Sequence, residues 1–372
     1  MIKQVKALSI GFLLTTLLLL FNGCQFGRFV FYNFANITDY KIFASRPLKS
    51  AETKFIFNKS LNAKSPKALT VDKNKSVTFD KYLEQNNTVA FLIIKNDSIQ
   101  YEKYFKGYDE QSIVASFSMA KSVTSMLIGC ALDEHLIQSV EEPITNYIPE
   151  LKARGFEKVK IKHLLQMTSG IKFNESYINP FGDAASFYYG LNLRKAISKM
   201  KMESEPGKKF EYKSGNTQVL GLVLERALKN KSVSNYLQEK LWSPLGMEYD
   251  ATWSIDQKKN GLEKTFCCIN ARARDFAKLG RLYKNKGNWN GEQLVSKAWV
   301  EESTKLDTSE GAVDYYRYQW WIPTPNQDFM AEGHLGQFIY VNPAKDLIIV
   351  RLGKSEGRAR WWQIFTSLAK SY

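Results

Sequence analysis

Cysteine and histidine are scarce in this chain, and their scarcity excludes most metal chemistry. The 372 residues contain four cysteines and three histidines: Cys24, Cys130, Cys267, Cys268, His135, His163 and His334. Zinc motifs need cysteine or histidine at short spacings such as Cys-x2-Cys or His-Glu-x2-His, and neither spacing occurs. We therefore expect no metal site, no cofactor and no disulfide scaffold. The adjacent Cys267 and Cys268 are predicted to be buried small hydrophobic residues that do not bond to each other.

Long runs of one charge are also missing. The chain carries 52 Lys and Arg against 37 Asp and Glu, a net charge of +15, yet no run of Lys or Arg is longer than two residues. Nucleic acid is therefore not an expected partner, whereas contact with anionic lipid or envelope polymers is compatible with the spread charge. Hydrophobic residues make up 44 % and aromatic residues 13 % of the chain. That share supplies a buried core and excludes disorder, collagen and low-complexity arrays.

The amino terminus has the three-part layout of an export signal. Lys3 and Lys6 precede an apolar stretch over 7–21, and Asn22-Gly23-Cys24 follows. A membrane-spanning helix needs about 20 apolar residues, so a permanent anchor is the weaker interpretation. Residues 21–24 resemble a loose bacterial lipobox, which predicts lipidation of Cys24 and attachment to a membrane through the N-terminus. An uncleaved anchor and a soluble secreted form are the alternatives, and all three export the protein to the bacterial cell envelope or beyond.

The spacing of apolar residues predicts an α+β body. Two strand-like runs, 89–95 and 99–105, flank a turn of Asn, Asp and Ser and predict a β-hairpin. Apolar residues at helical spacing follow over 118–137. The end of the chain carries two further strand patterns and one amphipathic helix: 338–341, 347–352 and 358–370. Strands at both ends with helices between them predict an antiparallel sheet flanked by helices, with a largely helical inserted subdomain.

These patterns divide the chain into three segments. Residues 1–24 form the predicted signal peptide, which ends in the lipobox-like sequence. Residues 25–80 show no clear periodicity and are interpreted as an irregular approach segment. Residues 81–372 are predicted to form one domain that carries the chemistry.

A Ser-x-x-Lys spacing places a hydroxyl and an amine on one face of a helix, where the amine can take the hydroxyl proton. The spacing occurs at Ser118/Lys121, Ser169/Lys172, Ser198/Lys201 and Ser367/Lys370. Only Ser118 opens a long apolar helix soon after a β-hairpin. The free N–H groups and the positive dipole end of a helix start favour a developing oxyanion at that point. Taken alone, Ser118 is nevertheless interpreted more simply as an N-cap serine.

Two further motifs favour a catalytic interpretation of Ser118. Tyr212-Lys213-Ser214 lies in a turn-rich stretch before an apolar run, and Gly333-His334-Leu335-Gly336-Gln337 precedes a strand. Together with Ser118-Met119-Ala120-Lys121, in this order, they resemble the serine hydrolases of the β-lactamase and penicillin-binding-protein superfamily. The resemblance covers roughly residues 85–370 and is nearest to class C β-lactamase-like esterases and 6-aminohexanoate-dimer hydrolases. Supporting stretches lie at 163–171, 270–280 and 289–291.

The resemblance implies roles for several residues. Ser118 would be the nucleophile of an acyl-enzyme, Lys121 its general base with a pKa lowered by desolvation, and Tyr212 the proton relay to the leaving group. Backbone N–H groups of Ser118 and Gln337, the latter beside Gly336, would form the oxyanion hole. The loop at 177–189 would lie at the mouth of the site. Tyr177 and Asp183 would contact substrate there, with ordinary loop packing as the alternative.

This chain departs from the family pattern at two positions. Ser214 replaces an asparagine that contacts β-lactam or peptide substrates in many members. His334 stands where β-lactamases have a lysine, and a histidine with an unperturbed pKa of about 6.5 is mostly neutral at pH 7. A substrate carboxylate would therefore lack a fixed countercharge. Both changes favour neutral esters or amides over penicillins.

The sequence therefore predicts an exported, membrane-anchored serine hydrolase that acts on a small ester, amide or peptide. One rival interpretation is a D-alanyl-D-alanine carboxypeptidase or weak β-lactamase that uses the same residues, which His334 and Ser214 disfavour. Another is a non-catalytic envelope-binding module on the same fold. The joint presence of Ser118, Lys121 and Tyr212 argues against that module, because binding alone needs neither a nucleophile nor its base.

Overall fold

A computed structural model of the protein describes residues 25–32, 34–72 and 75–372. The predicted signal peptide, residues 1–24, and with it Cys24, lies outside the described residues. Across the part of the chain that the structure describes, no helix is both long and apolar enough to cross a membrane.

The described residues alternate between helices and strands. The α-helices are α1 Gln25–Tyr32, α2 Phe79–Gln85, α3 Met119–Asp133, α4 Ile161–Leu165, α5 Asp183–Tyr189, α6 Leu193–Ser198, α7 Ser214–Ala227, α8 Val233–Leu237, α9 Ala273–Lys284, α10 Lys297–Thr304 and α11 Trp361–Ser371. The strands are β1 Ala44–Leu48, β2 Asn58–Lys59, β3 Ala68–Asp72, β4 Lys75–Thr78, β5 Thr88–Lys95, β6 Ser98–Tyr104, β7 Val114–Ala115, β8 Ile171–Lys172, β9 Lys201–Met202, β10 Ala251–Ile255, β11 Ile269–Ala271, β12 Asn288–Trp289, β13 Glu292–Gln293, β14 Tyr316–Arg317, β15 Trp320–Trp321, β16 Phe329–Gly333, β17 Gln337–Asn342 and β18 Leu347–Gly353.

The predicted hairpin lies inside the larger sheet. This sheet has the strand order β14-β15-β16-β17-β18-β5-β6-β2 among the described residues, and its neighbours are antiparallel except β2 and β6. Asn96 and Asp97 join β5 to β6 with backbone φ of 49° and 55°. Asn and Asp tolerate this left-handed region, and two such residues match the twist of a hairpin. The hairpin prediction is confirmed. Of the two strands predicted near the end of the chain, β18 pairs with β5 of the hairpin and β17 pairs with β18.

Helices cover both faces of this sheet. On one face the Phe91 ring of β5 contacts Phe79 of α2 and Trp361 of α11, at ring-centre distances of 5.3 and 6.4 Å. On the other face α9 lies so close to β17 and β18 that a Cβ at Gly280 would come within 2.9 Å of Ile339. The predicted α+β class, with an antiparallel sheet flanked by helices, is confirmed.

The inserted region is largely helical, as predicted. Its two long helices, α3 and α7, pack against each other, and the residues of α3 from Met119 to Ala131 are all buried. An apolar sequence of that kind forms a core helix because every face contacts protein. The start of α3 therefore lies at the boundary between the sheet and the helical region.

The prediction that residues 25–80 form an irregular segment is wrong. β1 pairs with β10 in a second antiparallel sheet of order β1-β10-β11-β7, and α1 precedes it. The carbonyl of Ile37, a fully buried residue, accepts a hydrogen bond of 3.0 Å from the Ala115 N–H of β7. The short strand Ala44–Leu48 contains Arg and Pro and alternates only briefly, so its sequence gave little indication of a strand. Pairing with β10 stabilises its extended conformation.

Candidate active site

Ser118 lies at a sharp turn between β7 and α3. Phe117, directly before it, has a backbone φ of 44°, a left-handed conformation that bulky residues rarely adopt. Ser118 occupies the position before the first helical residue, but its side chain caps no backbone N–H. Its Oγ instead accepts a hydrogen bond from Lys121 Nζ at 2.9 Å. The simple N-cap interpretation of Ser118 is therefore not supported.

Lys121 is a buried cation that forms no ion pair with a carboxylate among the described residues. Its side chain is almost fully buried, and Nζ also donates to Ser214 Oγ at 3.0 Å and to the Phe266 carbonyl at 2.9 Å. Burial lowers the pKa of this amine to about 8, and the charge of Glu175 partly opposes that fall. The neutral amine is thus accessible near neutral pH, as a general base requires.

Tyr212 lies beside this pair. The ring centre is 5.2 Å from Lys121 Nζ, and the ring stacks on Trp321 at 5.6 Å. Burial raises the pKa of the phenol above its usual value, and a hydrogen bond with Ser118 opposes the rise. The hydroxyl therefore keeps its proton at neutral pH, so it is available as a donor. The three residues predicted to be catalytic are brought together.

Ser214 connects Lys121 to a carboxylate that the sequence analysis missed. The Ser214 N–H donates to Glu175 at 2.7 Å, and its hydroxyl donates to the same carboxylate. Tyr177 donates its hydroxyl to Glu175 at 2.8 Å. The loop predicted from the sequence to lie at the mouth of the site began at Tyr177, two residues after Glu175. No sequence motif indicates a role for Glu175. Only the folded loop brings its charge to Lys121.

His334 contacts the cavity beside Ser118. Its imidazole lies 5.6 Å from the Phe117 ring and 5.2 Å from the Tyr177 ring, measured between ring centres. Burial lowers the pKa of His334, while the charge of Glu356 acts in the opposite direction. The imidazole is therefore neutral at pH 7, which agrees with the expectation from its ordinary pKa.

Gln337 and Gly336 are not among the residues that line the cavity. The Gln337 side chain is fully buried, and its amide donates to the carbonyls of His334 and Gly353 at 3.0 and 2.8 Å. Gln337 pairs with Gly333 across the hairpin, and the Gly336 carbonyl accepts from Arg351. These contacts hold the turn between β16 and β17.

The end of β16 makes the close approach to Ser118. A Cβ at Gly333 would lie 2.3 Å from the Ser116 carbonyl oxygen and 3.2 Å from the Ser118 nitrogen, so glycine permits the contact. In the described part of the chain, neither the Ser118 N–H nor the His334 N–H donates a hydrogen bond. Two free donors thus lie on the adjoining segments that line the cavity.

Tyr177 and Asp183 take different positions. Tyr177 lines the cavity and is 48 % exposed. Asp183 begins α5, where its carboxylate accepts a hydrogen bond of 2.8 Å from the Asn174 N–H, and it does not line the cavity. A carboxylate in the first turn of a helix is stabilised by the free N–H groups there, so this contact is structural.

The cavity at Ser118 has a volume of about 440 Å³ and is mainly aromatic. Its lining consists of Phe29, Phe34, Ala35, Phe117, Ser118, Tyr177, Ile178, Ala184, Ala185, Tyr188, Tyr189, Ser214, Phe266, Cys267, His334 and Leu335. No Lys, Arg, Asp or Glu occurs among these residues. No group of three or more His, Cys, Asp or Glu side chains suited to a metal ion occurs among the described residues.

Cys267 of this lining forms a disulfide with Cys268, which corrects the expectation that the two would not bond. Consecutive cysteines are closer at Cα than in ordinary disulfides, which was the reason for that expectation. Cys268 adopts a left-handed backbone with φ of 77°, an unusual conformation that the sequence did not indicate. Both residues are buried, as expected.

Comparison with known proteins gives a family match. The family model described as Beta-lactamase matches residues 78–361, most of the chain. A 6-aminohexanoate-dimer hydrolase from Paenarthrobacter ureafaciens is 28 % identical over 258 residues. The aligned region covers 63 % of this chain and 64 % of that protein, slightly less than two thirds of its length.

Solved structures show the same fold. A Bacillus anthracis protein provisionally named a 6-aminohexanoate-dimer hydrolase superposes with a TM-score of 0.81 at 24 % identity, over 90 % of this chain and 93 % of that one. A penicillin-binding protein from Bacillus halodurans gives 0.64 at 15 % identity, over 79 % and 99 %. A family VIII carboxylesterase gives 0.59 at 17 % identity, over 74 % and 89 %. The family model covers more than half of the chain and the fold agrees with it, so the chain belongs to the Beta-lactamase family.

Proposed function

We propose that the protein hydrolyses neutral esters or amides through an acyl-enzyme on Ser118. The observation that carries the proposal is the position of Lys121 Nζ, which is buried 2.9 Å from Ser118 Oγ and pairs with no carboxylate in the part of the chain that the structure describes. With a pKa of about 8, roughly one Lys121 in ten is neutral at pH 7. That fraction can act as a base on the Ser118 hydroxyl.

Acylation would begin when neutral Lys121 takes the Ser118 proton. Ser118 Oγ then forms a bond to the substrate carbonyl carbon, and the carbonyl electron pair moves to the oxygen. The resulting oxyanion would be held by the free N–H groups of Ser118 and His334, which replaces the earlier prediction for Gln337. Donors fixed in place before the reaction stabilise this charge without reorganisation.

Collapse of the tetrahedral intermediate would break the bond to the leaving group. The Tyr212 phenol donates its proton to the departing oxygen or nitrogen and regains one from the Lys121 ammonium. In deacylation a water molecule loses its proton to this pair and attacks the acyl carbon. The bond to Ser118 Oγ breaks, and Ser118 regains its proton from Lys121.

The substrate preference follows from the charges around Ser118. Neutral His334 offers no fixed countercharge to a carboxylate, and the cavity lining holds no lysine or arginine. These features favour neutral substrates over penicillins and D-alanyl-D-alanine peptides. The names of the similar proteins, an aminohexanoate-dimer hydrolase and a carboxylesterase, support an amide or ester as the bond cleaved.

A fluorophosphonate probe tests the nucleophile. We expect intact-mass spectrometry of the full-length protein to show one adduct, on Ser118, and no labelling of Ser118→Ala. Ser198→Ala is the matched control, because Ser198 has the same spacing to a lysine but donates its hydroxyl to the Lys195 carbonyl. Labelling that persists in Ser118→Ala would contradict the proposal. Labelling without turnover of any ester, amide or cephalosporin would favour the non-catalytic binding module.

A further inference from the structure

One wall of the cavity comes from the N-terminal segment. Phe29 of α1 and the following Phe34 and Ala35 line the same cavity as Ser118, although the family match begins only at residue 78. This wall therefore lies outside the part of the chain that the family model describes.

The wall is tied to the body of the protein by specific contacts. The Phe29 ring packs edge-on against Tyr189 of α5 with 5.6 Å between ring centres. The neighbouring Tyr188 donates its hydroxyl to Asp39 at 2.7 Å. Because Asp39 also accepts the Asn36 N–H at 2.9 Å, the turn after Ala35 is fixed beside α5. The N-terminal segment thus forms a fixed side of the cavity.

The α5 part of the lining is partly small. Ala184 and Ala185 of α5 line the cavity with methyl groups only, whereas their neighbours Tyr188 and Tyr189 present aromatic rings. About 440 Å³ is within the range of roughly 300–1,000 Å³ that small-molecule sites occupy. A liquid water molecule takes about 30 Å³, so the volume corresponds to roughly fifteen groups of that size.

The cavity is on the acyl side of the bond to be cleaved. A leaving group must lie next to its proton donor, which the proposed function assigns to Tyr212. Tyr212 does not line the cavity, whereas Ser118, which keeps the acyl group, does. An acyl chain bound to Ser118 would therefore extend into the cavity that residues of α1 and α5 line.

We propose that this cavity is an acyl-binding pocket and that the substrates are esters of uncharged, medium-length aliphatic or aryl acids. The inference rests on the proposed function and specifies which class of acyl group the substrate carries. Burial of each methylene group against apolar walls favours binding of the longer chain. A charged end would lose its hydration with no countercharge in the lining.

A chain-length series on the full-length protein tests the pocket. We expect kcat/KM to rise at least roughly tenfold from p-nitrophenyl acetate to p-nitrophenyl octanoate, and to fall for the palmitate ester, all below their aggregation concentrations. The mono-p-nitrophenyl ester of suberic acid has the octanoate length with a terminal carboxylate. We expect it to be hydrolysed at least tenfold more slowly than the octanoate. Equal rates for acetate and octanoate, or for octanoate and suberate, would overturn the inference.

Variants of the two walls localise the effect. Phe29→Ala is expected to lower kcat/KM for octanoate severalfold more than it lowers kcat/KM for acetate. Phe31→Ala, on the same helix, 63 % exposed and absent from the lining, is the matched control and should change neither substrate. Ala185→Leu is expected to remove the octanoate preference by filling the space. Ala184→Val repeats the test with a smaller change if the leucine variant does not fold.

The outcomes separate the inference from the proposed function. Loss of the acetate and octanoate activities in Ser118→Ala, together with unaltered chain selectivity in both wall variants, would overturn the acyl pocket and leave the serine hydrolase intact. Octanoate hydrolysis that persists in Ser118→Ala would overturn the proposed function itself. An equal loss of acetate and octanoate activity in Phe29→Ala would show that Phe29 maintains the structure of the site without binding the acyl chain. That result would also count against the pocket.

Discussion

The Glu175 carboxylate holds Ser214 at two points, its backbone N–H and its hydroxyl. The Ser214 hydroxyl also accepts a hydrogen bond from Lys121, so one side chain connects the carboxylate with the buried amine. Glu175 raises the pKa of Lys121 against the larger effect of burial. The charge of Glu175 therefore helps to set the pH at which Lys121 becomes a base.

Glu175→Gln should move the activity to lower pH. The amine works as a base only when neutral, so kcat/KM should rise with pH through about 8 in the wild type. Without the Glu175 charge the pKa of Lys121 falls, and this rise should begin at lower pH. The measurement is the pH profile of kcat/KM between pH 5 and 10.

Two control variants test whether a shift of the pH profile is due to the Glu175 charge. Glu203→Gln removes a carboxylate that binds Lys213 instead, at 3.0 Å, and should leave the profile unchanged. Burial and the charge of Glu356 raise the pKa of Glu332 to about 7, so Glu332 also changes charge within the measured pH range. Glu332→Gln tests whether this ionisation contributes to the rise of kcat/KM with pH. An unshifted profile in Glu175→Gln would contradict the role given to the carboxylate.

Arg351→Lys should destabilise the fold through the turn that carries His334. The buried guanidinium donates to the carbonyls of Gly336, Asn86 and Ser355, and a lysine cannot reach all three. Each buried carbonyl left without a donor costs about 1–3 kcal/mol, so we expect a loss of about 3 kcal/mol or more in the free energy of unfolding. Urea unfolding measures it, with exposed Arg358→Lys as the control. A loss no larger than that of the control would show that the bonds are dispensable.

Cys24→Ser tests the proposed export and lipidation. If Cys24 is acylated, the wild type should incorporate a labelled fatty acid and sediment with membranes, and the serine variant should do neither. Cys130→Ser is the control, since Cys130 is buried and reduced. A serine variant that is processed at the same site and stays with the membrane would favour another anchor.

The sequence was informative where a local pattern decides the structure. Two strand-like runs on either side of Asn96 and Asp97 specify a hairpin, and the spacing of Ser118 and Lys121 at the start of α3 specifies their contact. Glu175 could not be found in this way, because its partner Ser214 is 39 residues distant along the chain. Phe29 could not be assigned to the cavity either, since its place depends on contacts with α5. The Gln337 prediction relied on motif order, whereas the close approach of Gly333 to Ser118 depends on the hairpin.

His334→Lys should raise activity toward anionic substrates. A lysine at the cavity edge would give a substrate carboxylate the countercharge that neutral His334 lacks. We expect the ratio of kcat/KM for a chromogenic cephalosporin to that for p-nitrophenyl acetate to rise roughly tenfold. His334→Gln is the control for loss of the imidazole alone. A wild type that prefers the cephalosporin would contradict the neutral-substrate proposal.

Lys121 and Tyr212 should behave as one unit with Ser118. Proton transfer by a positioned group contributes about 10² to 10⁴-fold, so Lys121→Ala and Tyr212→Phe should each lower kcat by at least about 10²-fold. Phenylalanine keeps the ring on Trp321 and removes only the hydroxyl, which makes it the cleaner substitution. Because both residues serve the same proton path, the double variant should be little slower than the slower single one. Multiplicative losses would indicate separate roles, and full activity in Tyr212→Phe would exclude the phenol from proton transfer and assign both steps to Lys121.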